Sequence, residues 1–333
     1  MKAVVQQRYW GADALAVADL PMPDAGPDQV VVRVAAASVN ADVWHMVHGR
    51  PRVLRLMGGG IRRPTHPTPG IDFAGTIHEV GAEVDGWAIG DEVYAETVTL
   101  QWKNGGTYAE YAVVDAHRLE AKPAAIGFAE AATVPSTGGI AVNVTYDEGQ
   151  VAEGHEVLVN GAAGGVGAFA VQLAAARGAV VTAVDRAETF DRLRSLGATH
   201  TIDHTEHDFT TLGQTWDRII DVATMRPIKA YRGALNDDGR YVVVGHYGYD
   251  PTWRPWLGNL PGFFGQILAG LFVGESVPMS TKRTKRPLQV LSGLIETGQL
   301  TPSVAHRFGL DEVGAAIDLL ASGQATGRIV IEP

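Results

Sequence analysis

The chain has 333 residues, of which 46% are hydrophobic and 19% charged, a composition typical of a soluble globular protein long enough for two domains. Its formal net charge of −10 argues against a nucleic-acid partner, which would require a basic surface. The absence of cysteine excludes disulfides, thiolate nucleophiles and cysteine-ligated zinc sites. The first residues carry no apolar run of signal-peptide length, so we expect a cytoplasmic protein.

The region from residue 1 to about 120 is predicted to be mostly β-structure. Runs rich in β-branched and aromatic residues predict short strands, and frequent proline and glycine predict turns between them. The predicted strands are 29–34, 76–80, 91–95 and 108–114. Residues 40–49 follow the first strand and predict a short helix or a loop.

From about residue 122 the pattern changes to alternating strands and helices. The predicted strands include 157–160, 180–184, 200–202, 216–222 and 241–245, and Asp238-Gly239-Arg240 predicts a turn before the last of them. Such alternation predicts an α/β fold with a doubly wound parallel sheet and right-handed crossovers. A final strand at 327–332 needs a partner sheet, and we expect it to return to the N-terminal β region.

A glycine-rich turn joins the strand at 157–160 to a predicted helix. Its spacing fits G-x-x-G-x-x-G at Gly161, Gly164 and Gly167. In such a turn the backbone N–H groups and the positive helix end face one point, where a phosphate can be held. The turn therefore predicts a cofactor-binding site, which also includes Ala163, Gly165 and Val166.

Asp185 ends the next predicted strand, about twenty residues after the glycine turn, which is the position of the ribose-binding acid in dinucleotide-binding proteins. A carboxylate there accepts hydrogen bonds from the ribose hydroxyls and repels a 2′-phosphate, which favours NADH. Arg186 follows directly, and Arg192 and Arg194 lie on the next helix; a guanidinium there can pair with a 2′-phosphate. We expect NADH or NADPH, with a slight preference for NADH.

Two features stand at and after the end of the last predicted strand of the sheet. Gly245 and His246 end a strand at the carboxyl edge, where ligands bind in this architecture, and they complete the predicted cofactor site. Residues 257–274 contain no charged residue, but proline and internal glycines make them a poor membrane span. We expect a buried helix near 262–273, with an apolar cap, a subunit contact or a membrane-surface contact as alternatives.

Motifs spread over nearly the whole chain resemble those of one enzyme superfamily. They are residues 38–40, 69–75, 90–93, 106–111, 160–167, 171–174, 196–203 and 327–331. Together they resemble the medium-chain dehydrogenase/reductase superfamily, and within it the zinc-independent quinone oxidoreductase branch. The resemblance implies a GroES-like catalytic domain of residues 1–121, completed by about 270–333, and a Rossmann cofactor-binding domain of residues 122–269. It also implies an active cleft between them and a homodimer formed near residues 241–244.

The chain departs from the zinc-dependent members of this superfamily. Those relatives carry metal ligands in three neighbourhoods, which here hold residues 40–41, 71–72 and 135–136. One carboxylate without an imidazole or a thiolate is not a zinc site by ligand count. We therefore expect no zinc and no other metal.

Without zinc the chain lacks a Lewis acid to polarise an alcohol or a carbonyl oxygen. Hydride transfer from a reduced nicotinamide then requires an acceptor that is already electrophilic. A small, apolar quinone or α,β-unsaturated carbonyl meets this requirement. The alternatives are an alcohol or aldehyde dehydrogenase of the same superfamily and a non-catalytic nucleotide-binding redox sensor.

Two residues are candidates for catalysis. Asn40 follows the first strand and is expected either to donate a hydrogen bond to the developing oxyanion or to fix its own loop. His45 stands where similar quinone reductases often have a tyrosine. It is expected either to supply a proton near neutral pH or to pack as a partly buried histidine beside Trp44.

Overall fold

The computed structural model describes residues 1–9, 14–97, 105–223, 228–244, 256–257, 286–325 and 327–333. The chain divides into two compact units. The first comprises Met1–Ser136, Tyr249–Gly258 and Pro302–Pro333, and the second comprises Thr137–Gly248 and Asn259–Thr301. The chain thus enters the second unit after Ser136, later than the boundary predicted at residue 121, because the helix at Phe128–Ala132 packs against strands of the first unit.

The described strands are β1 (Lys2–Gln6), β2 (Leu15–Asp19), β3 (Gln29–Val39), β4 (Asp72–Val80), β5 (Glu92–Glu96), β6 (Tyr111–Asp115), β7 (Glu120–Ala121), β8 (Glu156–Asn160), β9 (Val180–Asp185), β10 (His200–Asp203), β11 (Trp216–Asp221), β12 (Leu235–Val243), β13 (Val304–Phe308) and β14 (Arg328–Ile331). The described α-helices are α1 (Ala41–His48), α2 (Phe128–Ala132), α3 (Pro135–Val142), α4 (Gly165–Ala176), α5 (Phe190–Ser195), α6 (Ile228–Arg232), α7 (Pro287–Glu296) and α8 (Val313–Ser322). None of the helices in these ranges is both long and apolar enough to cross a membrane.

The first unit is built on a seven-stranded sheet in the order β13-β14-β3-β4-β5-β7, with β6 also paired to β3. The long strand β3 is its centre, because it pairs with β4, β6 and β14. β14 runs antiparallel to β3, with Ile329 opposite Val39. Val30, Val31 and Val32 are all fully buried, and Val30 and Val32 belong to the hydrophobic core of this unit. The C-terminal strand thus lies in the N-terminal β sheet.

The second unit contains a five-stranded sheet in the order β10-β9-β8-β11-β12. All its described pairings are parallel, which confirms the predicted α/β fold with a parallel sheet. The strands β8 and β9 are buried along most of their length, mainly through apolar side chains, as expected for a sheet covered on both faces. Their carboxyl ends therefore lie at one edge of the sheet.

One local prediction was wrong. The turn expected at 238–240 lies within β12. Trp216 pairs with Leu235 and Arg218 pairs with Arg240, so the residues between Leu235 and Arg240 bulge out opposite Asp217. The polar and glycine residues that predicted a turn serve this bulge instead.

Residues 41–48, predicted as a short helix or a loop, form the helix α1. Asn40 caps its N-terminus, because the side-chain oxygen accepts a hydrogen bond from the Val43 N–H at 3.1 Å. Gly49 ends it in the left-handed conformation at φ 57°. These caps fix where α1 begins and ends.

Candidate functional site

The glycine turn lies between β8 and α4 in the second unit. Gly161 has φ 79°, a conformation that side-chain-bearing residues rarely adopt. Gly167 is required for packing, since a Cβ there would lie 2.1 Å from the Gly161 carbonyl oxygen. The first helical turn therefore sits directly against the end of the strand.

The N-terminus of α4 has the form of an anion cradle. Gly164 is its N-cap and supplies no side chain over the helix end. The N–H groups of the first helical residues have no intrahelical acceptor, and the helix dipole adds positive potential there. The pyrophosphate of a dinucleotide fits this set of donors, with Gly165 and Val166 as the first helical residues. The predicted phosphate-binding residues are thus brought together.

Asp185 lies beside the turn at the end of β9. Its Oδ2 accepts a hydrogen bond from the Ala163 N–H at 2.8 Å, and its Oδ1 accepts one from the Arg186 N–H at 2.9 Å. A carboxylate has about four acceptor positions, so two remain for ribose hydroxyls. Asp185 both fixes the turn and presents acceptors beside it.

Arg192 also contacts the turn, through a hydrogen bond from its Nη1 to the Ala163 carbonyl at 3.4 Å. Burial lowers the pKa of Arg192, and the charge of Asp185 opposes that shift. The Arg192 guanidinium therefore lies within electrostatic reach of Asp185. The sequence placed Arg192 on the helix after Asp185 but did not predict that it contacts the glycine turn.

A buried polar network supports the strand ends next to the turn, and sequence reasoning missed it. Asp221 is fully buried at the end of β11 and accepts hydrogen bonds from Asn160 Nδ2 and from the Tyr241 hydroxyl, both at 2.8 Å. Tyr231 stacks on Tyr241, with ring centroids 4.4 Å apart. Burial, with the charge of Asp221, raises the pKa of Tyr241, which keeps its hydroxyl a donor. The sequence signal that could have indicated this network is that two apolar strands, β8 and β11, each end in a polar residue, Asn160 and Asp221.

In the first unit, polar side chains converge on the fully buried Asp72. Its Oδ2 accepts hydrogen bonds from the Ser38 hydroxyl at 3.0 Å, the Asn40 amide at 3.1 Å and the Ser136 hydroxyl at 2.6 Å. Its Oδ1 accepts from the Ser136 N–H at 3.2 Å. We call these four residues the Asp72 cluster. It ties the ends of β3 and β4 to the start of α3.

The Asp72 cluster has a distinctive electrostatic environment. Burial raises the pKa of Asp72, against the lowering effects of the Ser136 hydrogen bond and the Arg328 charge. Burial, followed by repulsion from Asp72, raises the pKa of Asp42 to about 6. Burial raises the pKa of the Tyr108 hydroxyl, which donates to the Ser38 carbonyl at 3.0 Å. The two carboxyl groups therefore bind protons more tightly than ordinary aspartates do.

The Asp72 cluster occupies the three neighbourhoods that hold metal ligands in zinc-dependent relatives. The groups that meet here are one carboxylate, one amide and two hydroxyls, from Asp72, Asn40, Ser38 and Ser136. Zinc prefers imidazole and thiolate ligands, so this donor set does not fit it. Within the described ranges, no grouping of histidine, aspartate and glutamate has the arrangement of a metal site.

Both amide hydrogens of Asn40 have acceptors, namely Asp72 Oδ2 and Ser136 Oγ, each at 3.1 Å. Its side-chain oxygen caps α1. This geometry matches the loop-fixing role left open by the sequence. To donate to an oxyanion, Asn40 would have to exchange one of these bonds.

His45 is 5% exposed on α1 and packs edge-on against Trp44, with ring centroids 5.1 Å apart. Its Nδ1 lies 2.8 Å from the Arg50 carbonyl, which requires a proton on Nδ1. His48 stacks on the same indole at 4.3 Å, and burial lowers the pKa of its imidazole. His45 thus shows the packing beside Trp44 that the sequence left open.

The predicted site residues fall into three groups. The turn residues, Asp185 and Arg186 lie together in the second unit, whereas Asn40 and His45 lie in the first. Gly245, His246 and the predicted helix at 262–273 lie outside the described residues.

Comparison with known proteins places these features in a family. Residues 26–124 match the family model described as alcohol dehydrogenase GroES-like domain, and residues 196–331 match the one described as zinc-binding dehydrogenase. A 2-methylene-furan-3-one reductase from Solanum lycopersicum is 30% identical over 100% of this chain and 79% of its own length. An NADPH-dependent alkenal/one oxidoreductase from Arabidopsis thaliana is 31% identical over 100% of this chain and 80% of its own length.

Solved structures agree in fold. The quinone oxidoreductase from Coxiella burnetii superimposes with a TM-score of 0.83 at 25% identity, covering 100% of this chain and 99% of its own. An NAD-dependent alcohol dehydrogenase superimposes with a TM-score of 0.82 at 28% identity, covering 100% of both chains. The chain therefore belongs to the medium-chain dehydrogenase/reductase superfamily of oxidoreductases, with a GroES-like and a Rossmann-type part.

Proposed function

We propose that the protein is an NAD(P)H-dependent reductase of quinones or α,β-unsaturated carbonyls that works without zinc. Relatives named as alkenal/one and quinone oxidoreductases support the substrate class. The observation that carries the proposal is the Asp72 cluster, in which an amide, a hydroxyl and a carboxylate hydrogen-bond to one another where zinc ligands would be needed. An acceptor that is already electrophilic does not require a Lewis acid.

The chain's own groups bind and orient the cofactor, which supplies the hydride when it is bound in reduced form. The N–H groups at the start of α4 hold the pyrophosphate, and Asp185 accepts from the adenosine ribose. The Asn160–Asp221–Tyr241 network keeps the adjacent strand ends rigid. Such positioning accelerates transfer by holding the reacting carbons in a productive geometry.

Within this proposal we infer a preference for NADH. The carboxylate of Asp185 repels a 2′-phosphate, whereas the Arg192 guanidinium, which interacts electrostatically with Asp185, can attract one once that carboxylate is removed. Asp185→Ser should therefore shift the ratio of kcat/KM values toward NADPH by at least tenfold, a change of about 1.4 kcal/mol. A lower KM for NADPH than for NADH in the unaltered protein would contradict this inference.

The acceptor class is tested by following the absorbance of reduced nicotinamide with quinones, enones and simple aldehydes. We expect turnover of quinones or enones that is unchanged after chelator treatment. Turnover of aldehydes alone would favour the alcohol dehydrogenase alternative, which has support from two relatives named NAD-dependent alcohol dehydrogenase at 28% and 29% identity. Cofactor binding without turnover of any acceptor would favour the redox sensor.

For the two catalytic candidates we propose different roles. Asn40 is a positioning residue, because both of its amide hydrogens and its side-chain oxygen are used inside the first unit. His45 remains the predicted proton donor. His45→Gln should lower kcat and remove a pH-dependent limb from the kcat profile; an unchanged profile would assign His45 to packing alone.

Three further predictions accompany the proposal. Gly245 and His246 are proposed to contact the cofactor. A homodimer is proposed through β12, which is one of the two edge strands among the described strands of its sheet, and light scattering would test it. A cytoplasmic location is also proposed, and cell fractionation would test it.

A further inference from the structure

The segment between Asp42 and Asp72 has a strong local excess of positive charge. Residues 43–71 contain five arginines and no acidic residue, although the whole chain has a net charge of −10. Three of these arginines are Arg52, Arg62 and Arg63, and the last two are exposed to solvent. A local charge opposite in sign to that of the whole molecule can direct it toward an anionic surface.

The same segment exposes large apolar side chains. Leu56 is 64% exposed and Ile61 is 69% exposed. Trp256, which is 62% exposed, adjoins them, because the Val53 N–H donates to the Trp256 carbonyl at 3.0 Å. Elsewhere in the described ranges, exposed apolar side chains such as Met22, Ile89 and Leu212 belong to separate segments of the chain. Exposed apolar groups gathered in one place indicate an interaction surface more strongly than scattered ones do.

Backbone and side-chain contacts hold this surface in place. The Gly60 N–H donates to the Arg55 carbonyl at 2.9 Å, and the Thr65 N–H donates to the Gly59 carbonyl at 3.0 Å. Arg55 anchors the loop from within, since its Nε donates to the Gly49 carbonyl at 2.8 Å and its guanidinium lies 4.3 Å from the ring centroid of Tyr9. The exposed side chains therefore lie on a loop that is held by its own hydrogen bonds.

The geometry points to docking of this surface, which we call the 52–63 patch, on an anionic lipid bilayer. The patch consists of Arg52, Leu56, Ile61, Arg62, Arg63 and Trp256. The leucine and isoleucine enter the boundary between headgroups and acyl chains, and Arg62 and Arg63 lie at the lipid phosphates. The guanidinium of Arg52, 5.6 Å from the ring centroid of Trp256, places a cation beside an aromatic ring at the depth where both are favoured.

An anionic bilayer suits the patch better than an acidic protein partner does. A protein surface would have to match arginines and protruding aliphatic side chains in one fixed arrangement, whereas a fluid bilayer accommodates both kinds of group. Such docking is peripheral, and it is independent of the reaction proposed above. For an enzyme that reduces apolar acceptors, it would bring the protein to the phase in which those acceptors concentrate.

The test is co-sedimentation of the whole protein with vesicles of phosphatidylcholine alone or mixed with phosphatidylglycerol. We expect binding to the mixed vesicles only, weakened by salt. The double variant Arg62→Gln/Arg63→Gln should weaken partitioning about 25-fold, from about fivefold for each arginine. Ile61→Ser should weaken it about tenfold. Ile89→Ser is the matched control, because Ile89 is 71% exposed outside the patch, and it should bind like the unaltered protein.

Thermal unfolding and reduction of a water-soluble quinone, measured on the same variants, separate docking from folding and from catalysis. Equal binding to both kinds of vesicle, no binding to either, or equal losses in Ile61→Ser and Ile89→Ser would overturn the proposal. A change of oligomeric state in the patch variants, with vesicle binding unaffected, would also overturn it by assigning the surface to contact between copies of the chain.

Discussion

The glycine turn of the second unit and the Asp72 cluster of the first both lie at strand ends, but they are built differently. The turn is one continuous stretch from Gly161 to Gly167, and backbone groups do its work. The cluster joins side chains from residues 38–40, 72 and 136 around a single buried carboxylate. A site made of backbone depends on where side chains are absent, whereas a site made of side chains depends on which partners meet.

This difference predicts opposite responses to substitution. Adding a methyl group to the turn should lower the stability of the protein strongly or weakly, depending on the space around each glycine. Removing a group from the cluster should be costly because buried donors are left without an acceptor. The following experiments test that contrast, from the largest expected effect on stability to the smallest.

Gly167→Ala should destabilise the protein most, by about 3 kcal/mol or more, because its Cβ would lie 2.1 Å from the Gly161 carbonyl oxygen and neither backbone can yield easily. Chemical denaturation measures the effect. The matched control is Gly293→Ala on α7, where a Cβ meets nothing within 4 Å and alanine should stabilise the helix slightly. Equal unfolding midpoints for the two variants would refute the packing role of Gly167.

Asp72→Ala should cost about 2–3 kcal/mol, because it leaves the donors of Ser38, Asn40 and Ser136 buried without their common acceptor. Asp72→Asn keeps one acceptor oxygen at the same position and should cost less. Urea unfolding compares the two variants. A loss below about 0.5 kcal/mol for Asp72→Ala would mean that the cluster relaxes without penalty.

The raised pKa of Asp42 should make stability depend on pH. Because the folded-state pKa of about 6 exceeds the ordinary value of 3.8, the folded protein binds this proton more tightly than the unfolded chain does. Its contribution is therefore fully present below about pH 4 and is lost as pH rises to about 6, by about 1–3 kcal/mol. Asp42→Asn should remove this slope.

Urea midpoints measured across that pH range in both proteins provide the test. Other aspartates, such as Asp203 and Asp217, have lowered pKa values. Their contribution to the stability of the protein is lost as pH falls, which is the opposite pH dependence. The difference between the unaltered protein and Asp42→Asn therefore reports the contribution of Asp42 together with its repulsion from Asp72. Parallel pH profiles would show that Asp42 titrates as an ordinary aspartate.

Gly164→Ala should change stability by less than about 1 kcal/mol, since a Cβ there would meet only the Gly161 carbonyl oxygen, at 3.3 Å. The same methyl group would enter the anion cradle and should raise the Kd for NADH about tenfold, or about 1.4 kcal/mol. Calorimetric titration with NADH measures this change. Unchanged affinity would place the pyrophosphate elsewhere.

The sequence was sufficient wherever the signal is local. The strand, turn and helix around Gly161–Gly167 and the acid at Asp185 follow from apolar runs, glycine spacing and one carboxylate, because each depends on near neighbours. Contacts between residues of this site that are distant in sequence were harder to predict. The bond from Arg192 to Ala163 depends on how α5 packs, which no short window of sequence reveals.

The Asp72 cluster shows where such inference ends. The resemblance identified the three neighbourhoods, but nothing in the sequence near Ser136 marks it as a donor to Asp72 across 64 residues of chain. The buried Asp221 network was missed for the same reason, since Asn160, Asp221 and Tyr241 lie on three different strands. The bulge between Leu235 and Arg240 was missed because turn-forming residues also suit a bulge within a strand.

The pairing of β14 with β3 has a consequence for synthesis of the chain. Val39 is synthesised roughly 15–60 s before its partner Ile329 at ordinary rates of translation. During that interval the end of β3 at residues 37–39 lacks its native neighbour on one edge, although β6 can already pair with residues 29–33. The second unit has no such gap within its described strands, so we expect it to fold first and the nascent first unit to be the main client of chaperones.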